Sequence, residues 1–162
     1  MKGKNLEKTT SKLDEMLKNT DVRSFGDYLR ECSADMTDGD NPFGEYIKGL
    51  LREKSMSQKE LFLRAGIDEK TGYKYISGEK HTTQRDIIIR LCLCARMTLK
   101  ECSRALKLYG MSPLYAKTDR DAALIIAFNK GIYEPEKADE ILERYGLEKL
   151  YEPVMREDND RE

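Results

Sequence analysis

A chain of 162 residues with 36% charged residues, no Trp, and only 11 Gly and 4 Pro is long enough to bury a core but poor in the turn residues that a sandwich or barrel needs. An all-α fold is expected. Cys32, Cys92, Cys94 and Cys102 form no C-x-x-C pair and His81 is the single histidine, a pattern that argues against a metal site and for buried thiols in a reducing compartment.

The net charge of -1 hides a segregation. Residues 1–41 hold 7 Lys/Arg against 9 Asp/Glu, residues 42–116 hold 14 against 8, and residues 117–162 hold 8 against 13. A basic middle between acidic arms suits a central segment that meets a polyanion, with the arms open to contacts with one another or with a protein partner. The opening MKGKNLEKTT lacks the apolar stretch of a signal peptide and no run has the length of a membrane span, so a cytoplasmic protein without membrane contact is expected.

In chain order, residues 1–41 read as an acidic helical arm in which Ser24 caps a helix through about Ala34. The cluster TDGDNP at 37–42 breaks the chain, and Pro42 then suits the first turn of a new helix. From there, helical spacing and capping predict five helices, about 43–54, 57–65, 69–77, 83–95 and 98–109. Ser57 with Glu60 and Thr98 with Glu101 have capping-box spacing, Asp68 and Thr83 are candidate caps, and Gly78 ends the third helix. A helical C-terminal extension over 117–154 contains helices near 119–130 and 136–145, and the tail 155–162 is charged enough to be disordered. The run LIIAF at 124–128 is either core of this extension or a dimer interface. ALKLYGMSPLY at 105–115 echoes ILERYGLEKLY at 141–151, each a helix ended by glycine with Leu and Tyr folding back, which reads as a reused capping device. FGDYLR at 25–30 likewise echoes FGEYIK at 43–48.

The stretch SQKELFLRAGIDEKTGYKYISG at 57–78, with Ser57, Gln58 and Glu60 opening one helix, Leu61 on its buried face, Gly66-Ile67 in the turn, Asp68 as cap and Gly78 as stop, resembles the helix-turn-helix of the Cro/repressor-type (XRE) family. The likeness covers about residues 43–109 and implies a five-helix lambda-repressor-like domain, spanning 42–116, that binds double-stranded DNA as a homodimer. GYKYISG together with ALKLYGMSPLYAKTDRDAALIIAFNKG also resembles a small bacterial group with a helical C-terminal extension, which implies architecture more than role.

The resemblance makes the second helix the groove reader, offering Glu69, Lys70, Thr71, Tyr73 and Lys74 to base edges. Ser57 and Gln58 would donate to phosphate at the preceding helix N-terminus, and Lys80, His81, Thr82 and Arg85 would clamp the backbone. Tyr73 and Tyr75 cannot both face DNA; Tyr73 is expected outward and Tyr75 inward.

Three features depart from the family pattern. Phe62 stands where a small residue is usual and Gly72 where a branched aliphatic is usual; the two are expected to compensate, the ring filling the volume that glycine leaves. Across residues 66–86, Lys70, Lys74, Lys80 and Arg85 balance Asp68, Glu69, Glu79 and Asp86, so the reading face is neutral. The expected function is therefore a DNA-binding transcriptional regulator, with a protein-interaction adaptor that keeps the fold and has lost groove reading as the alternative. No phosphate loop or nucleophile elbow is present, so neither catalysis nor a cofactor is expected.

Overall fold

The computed structural model describes residues 10–31 and 41–151, which are helical with no strand, and which fall into two compact units divided at residue 41. In the first unit α1 (Thr10–Lys18) is followed by a 3-10 turn (Val22–Ser24) that runs directly into α2 (Phe25–Glu31). Ser24 thus lies inside the turn, its N–H donating to the Asp21 carbonyl at 2.8 Å, and the helix does not begin at a Ser24 cap. Tyr28 is buried, whereas Val22 and Phe25 are exposed. The expected end of this helix near Ala34, Cys32, and the charged tail 155–162 lie outside the described residues.

The second unit contains α3 (Pro42–Glu53), α4 (Gln58–Ala65), α5 (Glu69–Ser77), α6 (Arg85–Cys94), α7 (Leu99–Leu108), α8 (Asp119–Asn129) and α9 (Pro135–Arg144). Pro42 takes the first turn of α3, where its missing N–H costs nothing. Asn41 caps that helix by accepting from the Gly44 N–H at 3.1 Å, and its amide donates to the Ile76 carbonyl at 2.5 Å, so one side chain ties the start of α3 to the end of α5. The capping box at Thr98 and Glu101 closes in both directions. The one expected at Ser57 closes by half: Ser57 Oγ accepts from the Glu60 N–H, but the Glu60 carboxylate pairs with Arg64 one turn on, at 2.7 Å. Thr83 does not cap α6, because the helix begins one residue later with Gln84 at the cap position; the Gln84 N–H donates to the Thr82 hydroxyl at 3.1 Å.

Ile47, Leu51, Leu61, Phe62, Ile76, Ile88, Ile89, Leu93 and Leu106 form the centre of the core around α3 to α7. Leu124, Phe128, Ala138, Leu142 and Leu150 join the same cluster, so α8 and α9 share a core with the preceding helices. The LIIAF run is accordingly mostly interior: Leu124, Ala127 and Phe128 are buried and Ile126 alone of the run is exposed. The two echoed segments use one local device. Gly110 and Gly146 adopt φ +81° and +69°, and the next residue's N–H, from Met111 or Leu147, reaches back to the Leu106 or Leu142 carbonyl at 2.8 and 2.9 Å.

Cys92, Cys94 and Cys102 are free thiols buried in this core. Burial, with a smaller push from Glu136, raises Cys94 to about 12, so it stays protonated at neutral pH. Among the described residues no group of His, Cys, Asp or Glu could hold a metal ion, and no helix is long and apolar enough to cross a membrane.

Candidate nucleic-acid interface

The candidate interface is built on the turn between α4 and α5. Gly66 ends α4 with φ +64°, a conformation that glycine adopts without steric cost, and the Ile67 N–H returns to the Phe62 carbonyl at 3.0 Å. Asp68 caps α5 by accepting from the Thr71 N–H at 3.1 Å and also accepts from the Thr71 hydroxyl at 3.3 Å. A Cβ added at Gly72 would stand 2.5 to 2.7 Å from three carbons of the Phe62 ring, closer than carbon atoms approach. Phe62, fully buried, therefore fills the space that any larger residue at 72 would need, as the sequence pairing implies.

The same ring meets Tyr73 edge-on, with centroids 5.1 Å apart and planes at 84°. Tyr75 points into the core and Tyr73 outward, 42% exposed. Tyr73 belongs to a cleft of about 430 Å³ together with Gln58 of α4, Lys70 and Lys74 of α5, Glu79, and Lys48 of α3. An adjoining depression of about 220 Å³ brings Lys48 and Arg52 beside Ser57 and Gln58. Gln58, Lys70, Tyr73 and Lys74 thus converge on one concave surface, with Ser57 at its margin. Glu69 is exposed in the first turn of α5, where a carboxylate complements the helix dipole.

Lys48 and Arg52 were not among the expected contacts. They stand one turn apart on α3, each one residue past a buried position, Ile47 or Leu51, so their outward placement is readable from the helical period. Their proximity to the start of α4 depends on how α3 packs, which local sequence does not specify.

Two expected backbone clamps have other partners. Thr82 is buried; its N–H donates to the Tyr109 hydroxyl at 2.8 Å and its own hydroxyl accepts from Gln84. Arg85 forks onto both oxygens of Asp121 at 3.1 and 2.7 Å and donates to the Ser112 and Pro113 carbonyls at 3.0 Å each. Both are structural: Thr82 is buried with its backbone N–H bound, and the Arg85 guanidinium makes four hydrogen bonds inside the fold. Lys80 lies 5.8 Å over the Tyr75 ring and His81 stacks on Tyr109 with centroids 4.2 Å apart, yet both remain exposed.

Beside Arg85, Arg120 forks onto Asp86 at 2.8 Å through both nitrogens. Burial alone would raise the Asp121 carboxyl, but hydrogen bonds from Arg85 and the Tyr115 amide, with the positive charge of Arg85 and Arg120, outweigh it and hold the group below the usual carboxylate range. Arg85 and Asp86 therefore leave the charge balance of the surface around α5. Lys70, Lys74 and Arg52 form no ion pair among the described residues, while Lys48 stands 3.6 Å from the exposed Glu45. With Lys48 and Arg52 counted beside Lys70 and Lys74, the cleft is net basic.

No protein-family model, no curated protein and no solved structure matches this chain.

Proposed function

We propose that residues 41–151 form a DNA-binding unit of the Cro/repressor type, which reads the major groove with α5 and acts as a transcriptional regulator, two copies binding a two-fold site. One observation carries this reading: the cleft that gathers Gln58, Lys70, Tyr73 and Lys74 beside Lys48. Cations at its wall suit phosphates, and the amide of Gln58 with the outward side chains of α5 suits base edges. Arg52 and Ser57, at the adjoining depression, extend the phosphate track toward the N-terminus of α4, where free backbone amides favour an anion.

The test is to incubate the purified protein with fragments of genomic DNA at low and then moderate salt and to sequence what stays bound. The expected result is a short two-fold symmetric site whose recovery fails in the Lys70→Ala/Lys74→Ala double variant. Folded protein that enriches no site at either salt would overturn the reading and leave the adaptor, for which the acids around α5, Asp68, Glu69 and Glu79, are the supporting feature.

A further inference from the structure

The Tyr73 ring is the one aromatic surface in the cleft, and its position is fixed from behind. Phe62 is fully buried and cannot move without opening the core, and its edge-on contact at 5.1 Å orients the tyrosine. Gly72 makes this possible: any side chain there would expel the Phe62 ring and remove the support. The departure at 62 and 72 thus has a consequence one residue further along α5, at the surface. Lys70 lies one turn before Tyr73 and Lys74 immediately after it, so an apolar ring face is flanked by two cations.

An oriented, partly exposed tyrosine on the helix proposed to read the groove presents a hydroxyl at its tip and an apolar ring face, and it is the ring face that Phe62 holds in place. Of the groups that base pairs display in the major groove, the apolar one is the C5-methyl of thymine. We infer that Tyr73, oriented by Phe62 across Gly72, is a specificity-determining residue that selects thymine in the bound site through its methyl group. This rests on the DNA-reading proposal above. Phe62 is the positioning residue: it touches no DNA and acts only through the ring it supports.

The test removes methyl groups without altering any hydrogen-bonding pattern. A bound duplex is first selected from a random library, and deoxyuridine then replaces thymidine at each position of the recovered site in turn. For the native protein at least one replacement should weaken binding about fourfold, the change expected for one buried methyl-sized group. Tyr73→Ala should bind with no thymine/uracil difference at that position, while its salt dependence is unchanged. Phe62→Leu, checked for folding by circular dichroism, should reduce the thymine/uracil ratio toward one, an effect that a merely structural residue would not confine to one base. Native protein indifferent to every replacement, or Tyr73→Ala retaining the difference, would overturn the inference while leaving DNA reading intact. Failure to select any duplex would overturn both.

Discussion

The junction between α4 and α5 and the junction between the starts of α6 and α8 solve the same problem with opposite materials. In the first, a phenylalanine ring lies against bare helix backbone at Gly72, with no ion pair across the contact. In the second, the link is reciprocal and ionic: Arg85 to Asp121 and Arg120 to Asp86, each forked, with Arg120 also donating to the Glu148 and Lys149 carbonyls. The apolar junction leaves the cations near it, Lys70 and Lys74, available to a ligand. The ionic junction commits its own. Basic residues within one short stretch, 66–86, therefore differ in their surroundings, Arg85 being held by Asp121 while Lys70 and Lys74 form no ion pair among the described residues, and one summed charge describes neither group.

The steepest way to break the apolar junction is to restore the side chain that Gly72 lacks. Gly72→Ile should destabilise by about 3 kcal/mol or more, because a fully buried ring must be displaced. Phe62→Ala alone should cost about 3–5 kcal/mol as a cavity. If the two residues share one volume, the double variant should be more stable than the sum of the single losses by at least about 1 kcal/mol, as read from urea denaturation. Strict additivity would mean that the ring and the missing side chain do not compete.

At the ionic junction the expected loss is smaller, because Arg85 retains some exposure and carbonyl partners. Asp121→Asn should cost about 2 kcal/mol at neutral pH by removing the charge that Arg85 and Arg120 face. The folded-state carboxyl titrates below its unfolded value of about 3.9. Its contribution is therefore complete above that value and disappears as pH falls through the lower, folded one. The stability difference between native protein and Asp121→Asn should be constant from pH 7 to 5 and shrink below about 4. A difference that persisted unchanged into acid would remove the ion pair as its cause.

The apolar junction was more legible in the sequence than the ionic one, for a physical reason. Phe62 and Gly72 are both anomalies against the helix-turn-helix pattern, and the turn between them is fixed by Gly66 and Asp68, so their opposition follows from local geometry. Asp121 lies 36 residues from Arg85, and its role depends on how the segment after α7 returns, which no local spacing encodes. The same limit applied to Lys48 and Arg52. Caps were readable where a single acceptor was in range, as at Asp68 and Thr98. They failed at Glu60, whose carboxylate pairs with Arg64 instead, and at Thr83, because α6 begins one residue later with Gln84 at the cap position.

Lys70→Ala/Lys74→Ala removes two charges that pair with nothing among the described residues, so unfolding should move by less than about 0.5 kcal/mol. If each lysine neutralises one phosphate, the slope of log binding constant against log salt should fall in magnitude by about 2 in the double variant. Arg85→Ala removes one charge from the same stretch of sequence and should behave in reverse. It should lower stability, because Asp121 is left buried without its principal partner, and it should leave the salt slope unchanged, because its guanidinium is directed at Asp121 and the carbonyls of 112 and 113. A slope reduced by about 1 in Arg85→Ala would mean that the ion pair at Asp121 opens on binding, and that the two junctions are coupled.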